Sequence, residues 1–387
     1  MLKKEYLMVP GPTTVPERVL QAMQRPVINH RGKQYETMFS TITAKLQRLF
    51  NTRHEVLTFP AAGTGSMEAA VVNLLSPGDK VLAVSIGVFG DRFGQIAAKF
   101  DAVVEKLEFP WGTAAAAEKL QERLKADQRH EIKAILITHN ETSTGVTNDI
   151  KALAEARGNH PALLVIDAVS SLGAIELRMD EWGIDAVITG SQKALMIPPG
   201  LAFLAMNDRA WAAYEASAMP KFYWDAGDAK KALAKGQNPY TPPVSLLFGL
   251  EEALTLIEEE GIDNIIKRHC LLAKALRAGL KALGLELLAE DAVASTGVTA
   301  VYKPAGIETK DIQKIMRERF GITLAGGQKQ LEGRIFRIGH LGYVAVTDIL
   351  VTVAALEITL TELGIDVALG TGVSAVQWAI IKEQCWQ

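Results

Sequence analysis

The segment Leu163-Leu164-Val165-Ile166-Asp167-Ala168-Val169 places a single carboxylate directly after an apolar run that is typical of a buried strand. It lies within a region, 56–206, in which short runs rich in Val, Ile and Leu alternate with helical patterns. The predicted strands are Val56–Phe59, Val81–Val84, Val103–Phe109, Ile132–Thr138, Leu163–Ile166, Ala186–Ile188 and Leu201–Ala205, and the predicted intervening helices are Ser66–Leu75, Phe93–Phe100, Ala114–Ala126 and Ile150–Arg157. This alternation predicts an α/β fold with a largely parallel sheet covered by helices on both faces.

The remainder of the chain has a different pattern of predicted helices and strands. Two predicted helices, Val244–Glu260 and Ile262–Leu283, are separated by Gly261 and lead out of the first region. Beyond them lie two strand-like runs and two helix-like ones, at Val298–Tyr302, Lys310–Arg319, Ile335–Ile338 and Val346–Leu363. This pattern predicts a smaller C-terminal α+β domain.

Composition narrows the class of protein. The chain has 387 residues, of which 48% are hydrophobic and 22% charged, and its formal net charge is −3, which fits a soluble globular protein. No basic block is present, so a nucleic acid or an anionic membrane surface is not expected as a partner. Its N-terminus resembles neither a signal peptide nor a transit peptide, and no apolar run reaches about 18 residues. We therefore expect a cytoplasmic protein.

The two cysteines, Cys270 and Cys385, are far apart and form no C-x-x-C pair. They cannot build a disulfide framework, a four-cysteine zinc site or an iron–sulfur cluster. No metal site is predicted.

Gly63-Thr64-Gly65 follows a predicted strand and opens a helix. Glycines allow a ligand close to the backbone, and the first N–H groups of a helix favour an anion such as phosphate. The turn has neither the G-x-G-x-x-G spacing nor that of the Walker P-loop, so a plain helix start is the alternative.

Asp167 and Lys193 end neighbouring predicted strands, one crossover unit apart, so both side chains can face one ligand. An aspartate there can pair with a protonated pyridine nitrogen, as pyridoxal 5′-phosphate (PLP) chemistry requires, although a helix cap is the alternative. Lys193 precedes Ile197-Pro198-Pro199-Gly200, an apolar, tightly turned loop. Desolvation there lowers the pKa of an amine and favours a Schiff base, whereas a solvated loop lysine is the alternative.

These motifs, in this order, resemble the class V aminotransferases of PLP fold type I, especially the alanine–glyoxylate and serine–glyoxylate group. The resemblance runs from Pro10-Gly11-Pro12-Thr13 to Arg337-Ile338-Gly339-His340. It is strongest to cyanobacterial members, some of which are labelled the small subunit of a soluble hydrogenase. It implies a large domain with a mostly parallel seven-stranded sheet (16–260), a small C-terminal domain (261–387) and an N-terminal arm (1–15) that packs at the dimer or active site.

The resemblance also assigns roles residue by residue. Lys193 matches the Schiff-base lysine and Asp167 the partner of the pyridine nitrogen. The other cofactor-binding residues that it implies are Gly63, Thr64, Gly65 and Gln192 at the phosphate, Phe89 stacked on the ring, and Thr142 near the phenolic oxygen, where it also meets the substrate.

Two further matches concern the neighbouring subunit and the substrate. Thr241 matches a residue that reaches the phosphate of the other subunit in a homodimer, and Asn238 stands where many relatives have Tyr, with Tyr240 nearby. Arg337 matches the residue that holds the substrate carboxylate, since a guanidinium offers two parallel hydrogen bonds. An arginine at a sheet edge is the alternative, and His340 is either a supporting group or a surface histidine.

The implied activity is a ping-pong transfer of an amino group from alanine or serine to glyoxylate. An aspartate donor stays open and would need a second cation, for which His30-Arg31 is one source. A PLP lyase or desulfurase and a non-catalytic hydrogenase subunit also stay open. A nicotinamide dehydrogenase is not expected, because the sequence lacks the G-x-G-x-x-G fingerprint of dinucleotide-binding proteins. The tail, Gly370–Gln387, carries no assignment.

Overall fold

The computed structural model describes residues 4–382, so Cys385 and the last part of the tail lie outside the described residues. Within that range the strands are β1 (Tyr6–Met8), β2 (Val56–Phe59), β3 (Lys80–Ser85), β4 (Val103–Glu108), β5 (Ile132–Thr138), β6 (Asn140–Glu141), β7 (Val146–Thr147), β8 (Leu163–Asp167), β9 (Ala186–Gly190), β10 (Ala202–Met206), β11 (Val298–Tyr302), β12 (Ile322–Gly326) and β13 (Ile335–Gly339).

The helices in the same range include all those predicted and several others. They are α1 (Glu17–Met23), α2 (Lys33–Phe50), α3 (Gly63–Leu74), α4 (Val88–Lys99), α5 (Ala117–Ala126), α6 (Ile150–Arg157), α7 (Asp208–Ala216), α8 (Ala226–Leu233), α9 (Val244–Glu260), α10 (Ile262–Ala282), α11 (Thr309–Phe320), α12 (Val346–Glu362) and α13 (Thr371–Lys382). Across residues 4–382, no helix combines the length and the apolar character needed to cross a membrane.

Seven strands form the large sheet, in the order β2-β10-β9-β8-β5-β3-β4. Its central strands pair in parallel, whereas β10 runs antiparallel to both of its neighbours. Their apolar side chains are buried in two separate clusters, as expected for a sheet with helices packed on both faces. The predicted fold class, a mostly parallel seven-stranded sheet of PLP fold type I, is confirmed.

A second sheet, of four strands in the order β1-β12-β13-β11, belongs to the C-terminal part of the chain except for β1. That strand pairs in parallel with β12, so that Tyr6 lies beside Ile322. Neither β1 nor β12 was predicted, because three residues, or a short run that ends in glycine, carry too little periodicity.

From β1 the chain crosses to the end of the large sheet. A Cβ atom at Gly339 would lie 2.1 Å from the backbone oxygen of Val9, and one at Gly11, where φ is +137°, would lie 2.4 Å from Nζ of Lys193. Only glycine fits at these two close approaches. The Thr13 N–H donates to the carbonyl of Gln192 at 3.1 Å, which fixes the arm on the loop after β9.

Candidate active site

Lys193 lies three residues beyond the end of β9 and is partly buried beneath the N-terminal arm. Its Nζ donates to the carbonyl oxygen of Pro10 at 2.5 Å, and its own carbonyl accepts from the Thr13 hydroxyl at 2.8 Å. Burial lowers the pKa of this amine to about 8, with further lowering from the charges of Arg337 and Arg92 and an opposing effect from Asp167. A larger share of the amine is therefore neutral near physiological pH than for an ordinary lysine.

Asp167 is the last residue of β8 and is buried. Its carboxylate accepts from the Val169 N–H at 2.9 Å and from the Thr138 hydroxyl at 3.2 Å. Burial raises its pKa to about 7, and the charge of Glu141 adds to the rise, whereas its two hydrogen-bond donors and Lys193 oppose it. No helix begins at Asp167, so the alternative of a helix cap is wrong.

The ends of β8 and β9 and the start of α3 approach each other closely around the turn Gly63-Thr64-Gly65. A Cβ at Gly63 would lie 2.6 Å from a methyl group of Val169, and one at Gly190 would lie 3.0 Å from the Gly63 nitrogen. The first N–H groups of α3 have no acceptor within the helix and carry its positive dipole. Gln192 Oε1 is buried beside this turn and accepts no hydrogen bond within residues 4–382, so the side-chain amide is not tied to the protein through its oxygen.

Arg337 connects the four-stranded sheet to the turn between β6 and β7, which form a two-stranded sheet of their own. Its Nε donates to the carbonyl of Gly326 and its Nη1 to the carbonyl of Thr142, both at 2.8 Å, and only 6% of the residue is exposed. Burial lowers its pKa to about 10, against the charge of Glu141, so the guanidinium remains charged at neutral pH. Because β13 lies between β12 and β11, the alternative of an edge-strand arginine is wrong. Nη2 makes no hydrogen bond in the described part of the chain.

Phe89 and Thr142 both lie next to Glu141: the Phe89 N–H donates to its carboxylate, and Thr142 follows it in the chain. Phe89 occupies the first turn of α4 and is partly buried, with the Arg92 guanidinium 4.7 Å from its ring centroid. Thr142 is buried in the turn between β6 and β7. Both therefore lie in segments that follow the parallel strands β3 and β5.

The segment 238–241 begins with a buried residue and ends with an exposed one. The Asn238 amide donates to the Thr58 carbonyl at 3.2 Å and accepts from the Tyr35 hydroxyl, and the residue is buried. These contacts hold Asn238 inside its own chain and give both ends of its side-chain amide a partner. Thr241 is exposed, and Tyr240 stacks on both Phe222 and Tyr223 at 5.4 Å.

The contacts of Arg31 and His340 show what each side chain does in the folded chain. Arg31 donates to the carbonyl oxygens of Asn238 and Pro239, at 2.6 and 3.0 Å, so its guanidinium fixes that segment. His340 is fully buried between the Thr299 hydroxyl and the Thr296 carbonyl. Burial lowers its pKa to about 3, which makes it a neutral structural residue and not a surface histidine.

Three groups at the site were not predicted from the sequence: the Pro10 carbonyl, Arg92 and Glu141. The first contacts Lys193 from the far end of the chain, which no local pattern could indicate. Glu141 was visible as an acidic residue in the polar run His139-Asn140-Glu141-Thr142, but nothing local distinguishes a buried carboxylate from a turn residue. Arg92 follows Phe89 by one helical turn, and that spacing was the available signal.

Comparison with known proteins gives a consistent result. Residues 5–368 match the family "Aminotransferase class-V". The chain is 45% identical to the soluble hydrogenase small subunit of a Synechococcus species, with 97% of this chain and 98% of the relative covered. It is 39% identical to the L-aspartate–glyoxylate aminotransferase of Paracoccus denitrificans, covering 97% and 96%. The crystal structure of ureidoglycine–glyoxylate aminotransferase from Bacillus subtilis superposes with a TM-score of 0.92 at 30% identity, covering 98% of each chain.

The pKa of Asp167 leads to a prediction about stability. Its folded value, about 7, exceeds its ordinary value of 3.8, so the folded state binds the proton more tightly than the unfolded state. The free energy of unfolding of the ligand-free protein should therefore fall as pH rises from about 4 to 7 because of this group. Asp167→Asn has no ionisable group at this position, so its free energy of unfolding should not fall for this reason. It should unfold like the wild type near pH 4 and be more stable by up to about 4 kcal/mol at pH 8, as measured by urea denaturation. Equal stability at pH 8 would contradict this placement of Asp167.

Proposed function

Because the chain belongs to the class V aminotransferases, we propose that it transfers an amino group from a small amino acid, alanine or serine, to glyoxylate in a ping-pong reaction. The observation that carries the proposal is the grouping of Lys193, Asp167 and Arg337, three buried or partly buried charges from three separate segments. Relatives named serine–glyoxylate aminotransferase, from Methylorubrum extorquens and Arabidopsis thaliana, support the choice of substrates.

The cofactor of this family is PLP, and the residues of this chain fit it. The Gln192 amide, whose buried oxygen has no partner within residues 4–382, lies beside the start of α3, so its NH2 group and the first N–H groups of the helix can donate to a phosphate. Gly63, Thr64, Gly65 and Gln192 would hold that phosphate, Asp167 the ring nitrogen, Phe89 the ring face and Lys193 the aldehyde carbon. When bound, PLP supplies an electron-withdrawing ring that stabilises negative charge at the substrate Cα.

The chain's own residues supply the remaining functions. With its lowered pKa, the Lys193 amine can accept a proton from the substrate Cα and return it to another carbon. The Asp167 carboxylate favours a protonated ring nitrogen, because the two opposite charges stabilise each other when buried. Arg337 binds the α-carboxylate, and since the amino donor and the keto acid both carry that group, one guanidinium serves both half-reactions.

A dicarboxylic donor such as aspartate is a second candidate, and one observation favours it. The Arg92 guanidinium lies over Phe89 and makes no hydrogen bond or ion pair within residues 4–382. It lies close enough to Lys193 for its charge to lower the pKa of that amine. A charged group with free donors beside the substrate is what a second carboxylate would need.

A desulfurase and a non-catalytic hydrogenase subunit find less support. A desulfurase needs a mobile nucleophilic cysteine, whereas Cys270 lies within α10 and Cys385 falls outside the described residues. A non-catalytic role beside a hydrogenase rests on the names of two relatives. It predicts no amino transfer by the isolated protein, so an assay of alanine or serine with glyoxylate tests it directly.

The proposal includes a homodimer in the cytoplasm, with the division into residues 1–15, 16–260 and 261–387 retained. Thr241 would reach the phosphate in the site of the second copy. Its exposure, and that of Phe222 at 76%, support an interface at this aromatic surface. An uncovered aromatic cluster of this kind is typical of a protein–protein contact.

Arg337→Lys tests the proposed reaction. With alanine or serine as donor and glyoxylate as acceptor, the wild type should be active, and the variant should lose one to two decades in kcat/KM for both substrates. Lysine keeps the charge but gives up the paired hydrogen bonds, a loss of roughly 1.5–3 kcal/mol. Arg334→Lys, an exposed neighbour, is the control and should match the wild type. An inactive wild type would refute the proposed function, and an effect on one substrate alone would refute the shared clamp.

Arg92→Met separates the two classes of donor. If aspartate is a substrate, this variant should lower kcat/KM for aspartate at least about tenfold, and alter the value for alanine by less than about threefold. Steady-state kinetics with both donors gives the comparison. A wild type that does not use aspartate, or a variant that affects both donors equally, would refute the dicarboxylic candidate.

The shared site can be tested by complementation. Lys193→Ala lacks the essential amine, and Thr241→Glu should be inactive because its carboxylate repels the phosphate of the other subunit. When the two are mixed and exchange subunits, hybrid dimers contain one site with both halves intact, so part of the activity should return. Inactive mixtures, with exchange shown by mass spectrometry, would indicate that each chain builds its own site.

A further inference from the structure

Glu141 is a fully buried acidic residue at the end of β6 that the proposed reaction does not use. Its Oε2 accepts from the backbone N–H groups of Phe89 and Gly90, at 2.9 and 3.1 Å. Its Oε1 accepts from the N–H and the hydroxyl of Ser143, at 3.0 and 2.5 Å. Four donors therefore converge on one carboxylate.

This environment is that of an ionised group. Burial raises the pKa of Glu141, while Ser143 and the two N–H groups of α4 oppose that effect. All four neighbours donate, and none accepts, so a protonated acid would leave its own hydrogen without a partner. The carboxylate also lies at the N-terminus of α4, where the helix dipole favours negative charge.

The backbone is shaped to admit this side chain. A Cβ atom at Gly87 would lie 2.5 Å from Cγ of Glu141 and 2.5 Å from Oγ of Ser143. Glycine at 87 is thus required for the contact, and the Val88 N–H also donates to the Ser143 hydroxyl at 3.0 Å. The turn after β3 and the turn after β6 are joined as one unit through these groups.

Each of the two joined turns carries a group of the site. The first carries Phe89, whose backbone nitrogen is bound by Glu141. The second carries Thr142, whose carbonyl holds Nη1 of Arg337. Arg337 approaches from the other sheet, so its position depends on where the 142 carbonyl is placed.

We propose that Glu141 is a positioning residue for carboxylate substrates: by locking the Phe89 turn to the Thr142–Ser143 turn, it fixes the Arg337 guanidinium relative to the ring that stacks on the cofactor. Its loss displaces the Thr142 carbonyl and loosens the clamp. The inference rests on the proposed function only in that the ligand of Arg337 is a carboxylate.

Glu141→Gln is the direct test, because the amide has the same shape but turns an N–H group toward two of the four donors. In the holoenzyme we expect the Kd of propionate, a carboxylate with no reacting group, to rise about tenfold by calorimetry. KM for amino donor and keto acid should rise in parallel, with a smaller change in kcat. The visible circular dichroism of the bound cofactor should weaken, since Phe89 is no longer fixed.

Glu357→Gln is the matched control. Glu357 is also buried and accepts three backbone N–H groups, from Gly370, Gly372 and Val373, at the start of α13. The same substitution there should lower the melting temperature and leave propionate binding and KM unchanged. Ser143→Ala removes one donor from Glu141 and should raise the Kd of propionate about threefold, which keeps the test open if Glu141→Gln does not fold.

The outcomes separate cleanly. A Kd for propionate equal to that of the wild type in Glu141→Gln, or in Ser143→Ala where only that variant folds, overturns the inference. Equal weakening in Glu357→Gln also overturns it, because the effect would then be one of general stability. If propionate binding follows the expected pattern while no donor transfers its amino group to glyoxylate, Glu141 keeps its role and the proposed function fails.

Discussion

The burial of several charges around one lysine is the constraint on which the site depends. Each group is pushed toward its neutral form: Lys193 and Arg337 lose affinity for their protons, and Asp167 gains it. A buried charge survives only when hydrogen bonds or an opposite charge replace the water it has lost. The loops at the carboxyl ends of the strands provide these partners, and much of their detailed geometry follows from this requirement.

Because the partners come from distant parts of the chain, the two sheets are joined at the site. Arg337 extends from the second sheet to the Thr142 carbonyl beside the first, and Pro10 reaches from the first strand to Lys193. A shift of one sheet against the other would therefore alter both the lysine and the guanidinium. The site belongs to neither sheet alone.

The sequence predicts the large sheet well because its strands are nearly continuous runs of Val, Ile and Leu, such as Ile132–Thr138, which matches β5 residue for residue. Asp167 and Lys193 could be found for the same reason, since strand ends mark the ligand edge. The contact of Pro10 with Lys193 and the contacts of Glu141 with the start of α4 could not be predicted, because they join segments that are far apart in the chain. Asn238 was assigned by analogy with a motif, and its burial against Tyr35 depends on α2, a helix that lay outside the predicted elements.

The parallel pairing of Tyr6–Met8 with residues 322–324 has a consequence for how the protein is made. Strand β1 is synthesised long before β12, so it has no pairing partner while the strands of the large sheet are being made. Contacts of such high sequence separation form late, because their loop-closure entropy must be overcome before they stabilise anything. The arm that covers Lys193 is therefore anchored through β1 only after residues 322–324 have been synthesised.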